Sequence, residues 1–131
     1  MAGIDDMKPA KASSMVKPLD LAWQRWFNQV MHILLNVSIP HEDFNAAVRD
    51  GSVGQKLKRI LDDLKPEAAY FTEMHGGRGV VLVVDLPDPS KIPALAEPWF
   101  LTFRANVEFK VIMSPMELAN AGLEELGKKW A

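Results

Sequence analysis

Hydrophobic and polar positions follow different patterns along the chain, and each pattern predicts a different kind of structure. Residues 1–18 are rich in Ala, Lys, Ser, Asp and Pro and show no apolar period, which predicts a flexible arm. Residues 19–30 place large apolar side chains on one side of a helix, so an amphipathic aromatic helix is expected there. The side chains of this apolar face are Leu19, Trp23, Trp26, Phe27 and Val30.

From Met31 onward, strand patterns and helix patterns alternate. Residues 31–39 alternate between two sets of side chains with the period of a strand that is buried on one face, and Pro40 ends the run. A helix at 41–49 stops at Gly51, and Ser52 begins a Ser-x-x-Gln capping box that opens a second helix. The other predicted elements are a hairpin of two strands at 68–86, a helix at 92–103, a strand at 106–113 and a C-terminal helix from Ser114 whose inner face carries Ala119, Leu123, Leu126 and Trp130.

This order of elements predicts an α+β fold. It corresponds to a ferredoxin-like βαββαβ unit with a four-stranded antiparallel sheet and helices on one face, extended by the N-terminal aromatic helix and the C-terminal helix. We expect residues 31–131 to form this ferredoxin-like domain.

The length of the hairpin loop decides which side chains reach the sheet face that the helices leave bare. With a two- or four-residue loop within 76–79, Tyr70 and Asp85 point to the bare face and Phe71 joins the core. With a three-residue loop, Glu73 and His75 point to the bare face instead. The sequence leaves both alternatives open.

The bare face of the even-loop arrangement is too apolar to be solvated. It carries Leu34, Val81, Val83 and Ile112 beside polar residues, and such a patch indicates an interface. A two-fold axis that stacks two sheets face to face predicts a homodimer. Polar residues enclosed in such an interface favour a small ligand pocket.

Composition narrows the function classes. The 131 residues contain 15 basic and 17 acidic side chains without a long basic run, so nucleic acid is not an expected partner. The absence of cysteine excludes disulfides, thiolate catalysis and cysteine-based metal sites. No apolar run is long enough to span a membrane and the first residues lack a signal-peptide centre, which together favour a cytoplasmic protein.

The candidate chemistry lies on the bare face. His32 and Tyr70 are the predicted catalytic residues, because a histidine in a closed cavity exchanges protons near neutral pH. Asn36, Asp85 and Trp99 are the predicted ligand-binding residues, and a hydrogen-bonded interface histidine is the competing interpretation of His32. No metal and no cofactor are predicted, since the only suitable donors lack a metal-binding spacing; these donors are His32, Asp85, Glu108 and His75.

One segment resembles a known family. The stretch AEPWFLTFRANVEFKVIMSPMEL combines an aromatic helix, a strand of alternating Val and a Pro turn, and it is similar to the corresponding stretch of muconolactone isomerase-like proteins and small bacterial relatives. The resemblance implies a dimeric α+β barrel. Because such families include isomerases, monooxygenases and dehalogenating enzymes, it implies no single reaction.

Two functional hypotheses follow. In the first, a homodimer binds a small, partly apolar organic molecule at the sheet face, with cofactor-free isomerase or monooxygenase-like chemistry at His32 and Tyr70. In the second, the protein is a non-enzymatic dimeric interaction module, and its aromatic helix at 19–30 docks on a protein partner.

Overall fold

The computed structural model describes residues 31–131, so the expected arm at 1–18 and aromatic helix at 19–30 lie outside the described residues. The strand and helix patterns of the described part alternate as the sequence predicts. The elements are β1 (Met31–Ile39), α1 (His41–Arg49), α2 (Val53–Leu64), β2 (Ala68–Met74), β3 (Gly77–Leu86), a 3₁₀ turn (Pro89–Lys91), α3 (Ile92–Phe103), β4 (Asn106–Ile112), α4 (Pro115–Ala119) and α5 (Leu123–Lys129).

The four strands form one antiparallel sheet, which confirms the α+β class and the predicted sheet. Their order is β2-β3-β1-β4, so β1 and β3 are the central strands and β2 and β4 are the edges. Because β1 and β3 are hydrogen-bonded on both sides, side chains on these two strands have the most firmly fixed positions.

One face of the sheet is covered by α1, α2 and α3; we call it the covered face. Alternate residues of β1 and β3 are almost fully buried there, together with Trp99 and Phe103 of α3 and Ile60 of α2. Among the described residues, no polar or charged residue is buried as a whole. The covered face is therefore held mainly by the burial of apolar area. Its strand residues are Ile33, Leu35, Val37, Ile39, Val80, Leu82, Val84 and Leu86.

The hairpin between β2 and β3 has a two-residue loop. His75 and Gly76 both have positive φ values, +53° and +78°, as a tight hairpin turn with right-handed strand twist requires. The carboxylate of Glu73 accepts a hydrogen bond from the backbone N–H of Gly76 at 2.5 Å and closes the turn. The even alternative is thus confirmed, although the turn lies one position earlier than the glycine run indicated.

The same register corrects one expectation about the core. Phe71 is paired with Val80 and points to the covered side, but 55% of its surface is exposed. The reason is that β2 is an edge strand, and of its residues only Ala69 packs against the buried cluster. The helix layer covers β1 and β3 and ends short of Phe71.

The helix after β1 is broken in two, as predicted, but the predicted capping box is not formed. Ser52 makes no side-chain cap of α2; instead its backbone N–H donates to Oδ1 of Asp50 at 2.8 Å. Gly51, with φ +80°, makes the turn between the two helices.

An ion pair fastens α1 to the turn between α3 and β4. Nε and Nη2 of Arg104 donate to the carboxylate of Asp43, with distances of 3.0 and 2.6 Å to Oδ1. These hydrogen bonds, helped by the positive charge of Arg104, lower the pKa of Asp43, and the same pair raises the pKa of Arg104. The pair lies at the rim of the covered face, where it is partly exposed to solvent.

The C-terminal segment is not the single inward-facing helix that the sequence predicts. The capping box forms, with Ser114 Oγ accepting from the Glu117 N–H at 3.1 Å, but α4 ends at Ala119 and Gly122, with φ +78°, separates it from α5. All residues from Met113 to the end are exposed. The apolar side chains Leu123, Leu126 and Trp130 are therefore turned to solvent.

Candidate functional site

The sheet face opposite the helices, which the sequence predicts as the bare face, is exposed to solvent; from here on we call it the open face. Its cross-strand rows follow from the register: Asp85, His32 and Ile112 form the first row, and Val83, Leu34 and Lys110 form the second. The third row contains Tyr70, Val81, Asn36 and Glu108. The open face therefore combines a half-buried apolar strip along its middle with ionisable groups at one end and along the β4 edge.

Three ionisable side chains converge at one end of this face; we call them the His32 cluster. Nδ1 of His32 lies 2.8 Å from Oε2 of Glu67 and 3.1 Å from Oδ1 of Asp85. The side chains of His32, Glu67 and Asp85 are 37%, 49% and 51% exposed. The cluster is thus accessible from solvent, and among the described residues it is the one group of three histidine and carboxylate side chains whose ligand atoms lie within 4.8 Å of one another.

The contacts of His32 Nδ1 with Glu67 and Asp85 have the lengths of hydrogen bonds but not the direction of hydrogen bonds. Nδ1 of His32 is inaccessible to water, yet neither carboxylate stands in hydrogen-bonding geometry to it. The short separations thus describe three electron-rich atoms grouped around a common point. Such a group is held together by a proton on the imidazole or by another cation.

The backbone explains how the cluster is assembled. His32 and Asp85 are directly paired across the central strands β1 and β3, so their side chains point the same way. Glu67 lies at a bend before β2, where its N–H donates to the carbonyl of Val83 at 2.8 Å. Two of the three groups are therefore fixed by the central ladder, and the third is tied to the same strand by one backbone hydrogen bond.

Sequence reasoning identified His32 and Asp85 but missed Glu67. If the alternation of β2 is extended back to Glu67, its side chain points to the covered side, because residues 67, 69 and 71 then share one side of the strand. The bend at Glu67 breaks that alternation, and the long side chain then reaches the open face. The only available signal was the turn-forming Lys65-Pro66, which ends α2 just before this position.

Tyr70 and Asn36 lie on the open face, as expected, but not beside His32. Asn36 is four residues along β1, which is about 13 Å of strand. Tyr70 is two strands away and two rows down, a backbone separation of roughly 16 Å, and its side chain is 70% exposed. Within one copy of the chain, Tyr70 is thus too distant to share a proton with His32 or Asp85.

Trp99 does not reach the open face. Its side chain is fully buried between α3 and the covered face, and its Nε1 has no hydrogen-bond partner among the described residues. Trp99 is therefore part of the hydrophobic core, and the sheet separates it from His32. Of the other expected donors, Glu108 lies two rows from the cluster and His75 lies in the hairpin turn.

A groove of about 920 Å³ runs between α2 and α3, away from the predicted site. Exposed charged residues such as Lys58, Asp62 and Glu97 line much of it, and no strand residue takes part. Lys58 and Asp62 pair with each other at 2.5 Å. The groove therefore contains one ion pair among charges of both signs, whereas the open face holds a histidine with two carboxylates in the His32 cluster.

The fold and the site define a class only: a small α+β protein with a histidine and two carboxylates on an uncovered sheet face. The chain matches no protein-family model, curated protein or solved structure. The resemblance to muconolactone isomerase-like proteins thus rests on the segment from Ala96 onward. Between residues 31 and 131, no helix is both long and apolar enough to cross a membrane, and the interpretation of residues 19–30 as a docking helix lies outside the described residues.

Proposed function

We propose that this protein is a homodimer that binds a small, partly apolar organic molecule between two open faces. In this proposal the subunit is a ferredoxin-like βαββαβ unit and the dimer is an α+β barrel of the kind found in muconolactone isomerase-like proteins. The observation that carries the proposal is the apolar strip of the open face next to the His32 cluster. A cytoplasmic location, favoured by the absence of cysteine, belongs to the same proposal.

The apolar strip supports burial against a partner. Leu34, Val81 and Val83 lie on the central strands and are only partly covered by their neighbours. Four strands of seven to ten residues give a face roughly 19 Å wide and about 23 to 33 Å long. The area of this face is smaller than the ~800 Å² that each partner buries in a standard interface. The exposed apolar side chains that directly follow β4, including Met113 and Met116, are available to extend it.

The distribution of charge favours a second copy as the partner. Glu67 and Asp85 lie towards the β2 edge of the open face, whereas Lys110 lies on β4 at the other edge, one row from Glu108. A two-fold axis parallel to the strands brings the β4 edge of one copy over the β2 edge of the other. Acidic and basic groups then approach each other twice, as a self-complementary interface requires.

The kind of ligand follows from two parts of the open face, the His32 cluster and the apolar strip beside it. The His32 cluster supplies an imidazole and two carboxylates, groups that accept protons or orient polar parts of a ligand. The apolar strip and Tyr70 supply contacts for carbon atoms and a ring face. A molecule with one polar end and an apolar body fits this arrangement. In this proposal His32 is the residue that moves a proton.

The dimer is tested by placing a charge in the strip. Val81→Glu introduces a carboxylate in the middle of the open face, whereas Leu101→Glu introduces one at a 79%-exposed position of α3. By light scattering after gel filtration, we expect the mass of a dimer for the wild type and for Leu101→Glu. The Val81→Glu variant should have the mass of a monomer, because burying an unpaired charge is unfavourable.

The ligand is tested on the wild-type dimer by native mass spectrometry, which retains non-covalently bound molecules. We expect an organic adduct on the dimer that is absent from the Val81→Glu variant. A wild-type protein that is monomeric at every concentration, or a dimer that persists in Val81→Glu, would contradict the proposed interface. A dimer without any adduct after mild purification would argue against the ligand-binding role.

A further inference from the structure

The geometry points to a divalent metal site at the His32 cluster, with Nδ1 of His32, Oε2 of Glu67 and Oδ1 of Asp85 as its three protein ligands. The class of ion is a first-row transition metal, for which Zn²⁺ is the probe. This inference goes beyond the proposed function, because it rests on the cluster within one copy and requires neither the dimer nor an organic ligand.

The separations between the three atoms support the assignment. Two N or O ligands at about 2.1 Å from one ion are about 3.0 Å apart in octahedral geometry and about 3.4 Å apart in tetrahedral geometry. Nδ1 lies 2.8 Å from the Glu67 oxygen and 3.1 Å from the Asp85 oxygen, and all three atoms lie within 4.8 Å of one another. Only a small movement of the Glu67 or Asp85 side chain is needed to centre an ion.

The direction of the imidazole is the second, independent observation. A protonated Nδ1 that formed an ordinary ion pair would aim its N–H at one carboxylate. Here Nδ1 is shielded from water, close to both oxygens and aligned with neither. This is the arrangement in which a nitrogen lone pair and two carboxylate oxygens face a shared cation.

The donor set selects the class of ion. An imidazole ligand favours Zn²⁺, Fe²⁺ and related metals over Mg²⁺ and Ca²⁺, which prefer oxygen ligands and more of them. Two carboxylates carry two negative charges and a neutral imidazole carries none, so the three ligands together balance the charge of a divalent cation. Because all three side chains remain partly exposed, coordination positions stay open for water or for an oxygen of a bound molecule.

The test uses the full-length protein after removal of metal with a chelator, and measures Zn²⁺ affinity by competition with a chromophoric chelator. Glu67→Gln and Asp85→Asn each remove one charged ligand at a half-exposed position, so both variants should fold, which circular dichroism verifies. We expect each to weaken Zn²⁺ binding at least about tenfold, and the double variant to abolish stoichiometric binding. Glu108→Gln is the matched control on the same face, and its affinity should equal that of the wild type.

The histidine ligand is tested by NMR with Co²⁺, since the chain has only three histidines. The imidazole signals of His32 should shift strongly on addition of one equivalent, while those of His41 and His75 should not. Equal affinity in Glu67→Gln, Asp85→Asn and the wild type, or a shift confined to His41 or His75, would overturn the inference. Because Val81→Glu retains all three ligands, it should bind Zn²⁺ like the wild type, which separates a failure of the dimer proposal from a failure of this one.

Discussion

The two faces of the sheet belong to the same strands but have opposite chemistry. The covered face contains aliphatic and aromatic side chains that are almost completely excluded from water, whereas the open face alternates half-exposed aliphatic residues with His32, Asp85 and Lys110. The covered face therefore accounts for the stability of the described domain. The open face is less buried and contains the His32 cluster.

Two consecutive leucines of β1 provide the strongest test of this comparison. Leu35 is fully buried on the covered face, and Leu34 is only partly covered on the open face. We expect Leu35→Ala to lower the free energy of unfolding by about 2 to 5 kcal/mol, because it leaves a cavity in the core.

The same substitution one residue earlier should have a different effect. Leu34→Ala should cost the monomer about 1 kcal/mol or less, since it removes little buried area. Urea denaturation of both variants, at a protein concentration low enough to favour the monomer, measures the difference. Similar losses in the two variants would show that the open face is as important for stability as the covered one.

The rim of the covered face should give a pH-dependent effect. The hydrogen bonds from Arg104 lower the pKa of Asp43 in the folded protein below its ordinary value of 3.8. A carboxyl group with a lowered folded-state pKa adds stability above its unfolded pKa and loses that contribution as the pH falls through the folded value. The wild type should thus be more stable than Asp43→Asn at pH 7, and the difference should shrink at pH values below about 4.

Urea midpoints of the two proteins between pH 3 and pH 7 measure this dependence. Asp63→Asn, at an exposed position of α2, is the control, and its curve should run parallel to that of the wild type. If the difference between wild type and Asp43→Asn stays constant over the whole range, the ion pair with Arg104 does not contribute to stability.

The smallest effect is expected where the covered face ends. Phe71 points to the covered side but lies beyond the helices, so Phe71→Thr should change the free energy of unfolding by no more than about 0.5 kcal/mol. Thermal unfolding followed by circular dichroism checks this value. A loss as large as that of Leu35→Ala would mean that the core extends under β2.

Several features of the fold could be predicted because they depend on neighbouring residues alone. The alternation in 31–39 and 106–112 identifies the strands and their buried sides, and Gly51 and Pro40 mark where helices and strands stop. The position of His32 on the open face followed from that alternation, whereas the side on which Asp85 lies depended on the length of the hairpin loop. The capping box at Ser114 and Glu117 was also predictable, because its two hydrogen bonds join residues three apart.

Other features could not be predicted because they depend on residues far apart in the chain. The apolar side chains of α5 lie on one side of the helix, as in a helix that packs on a core. Whether another element covers Leu123 and Leu126 depends on the rest of the molecule, and here they are exposed. Trp99 was expected near the ligand, and only the side of the sheet on which α3 packs assigns it to the core. Glu67 escaped prediction because a bend, not a strand, sets the direction of its side chain.

The sequence by itself determined the order of strands and helices, the alternation that separates the two faces, and the presence of an imidazole on one of them. The tertiary structure alone decided that the hairpin turn contains two residues, that the third member of the cluster is Glu67, and that Tyr70 lies far from His32. The physical reason is that periodicity follows from local backbone geometry. The meeting of His32, Glu67 and Asp85 instead depends on strand register and on one bend, which bring together side chains more than 15 residues apart in the chain.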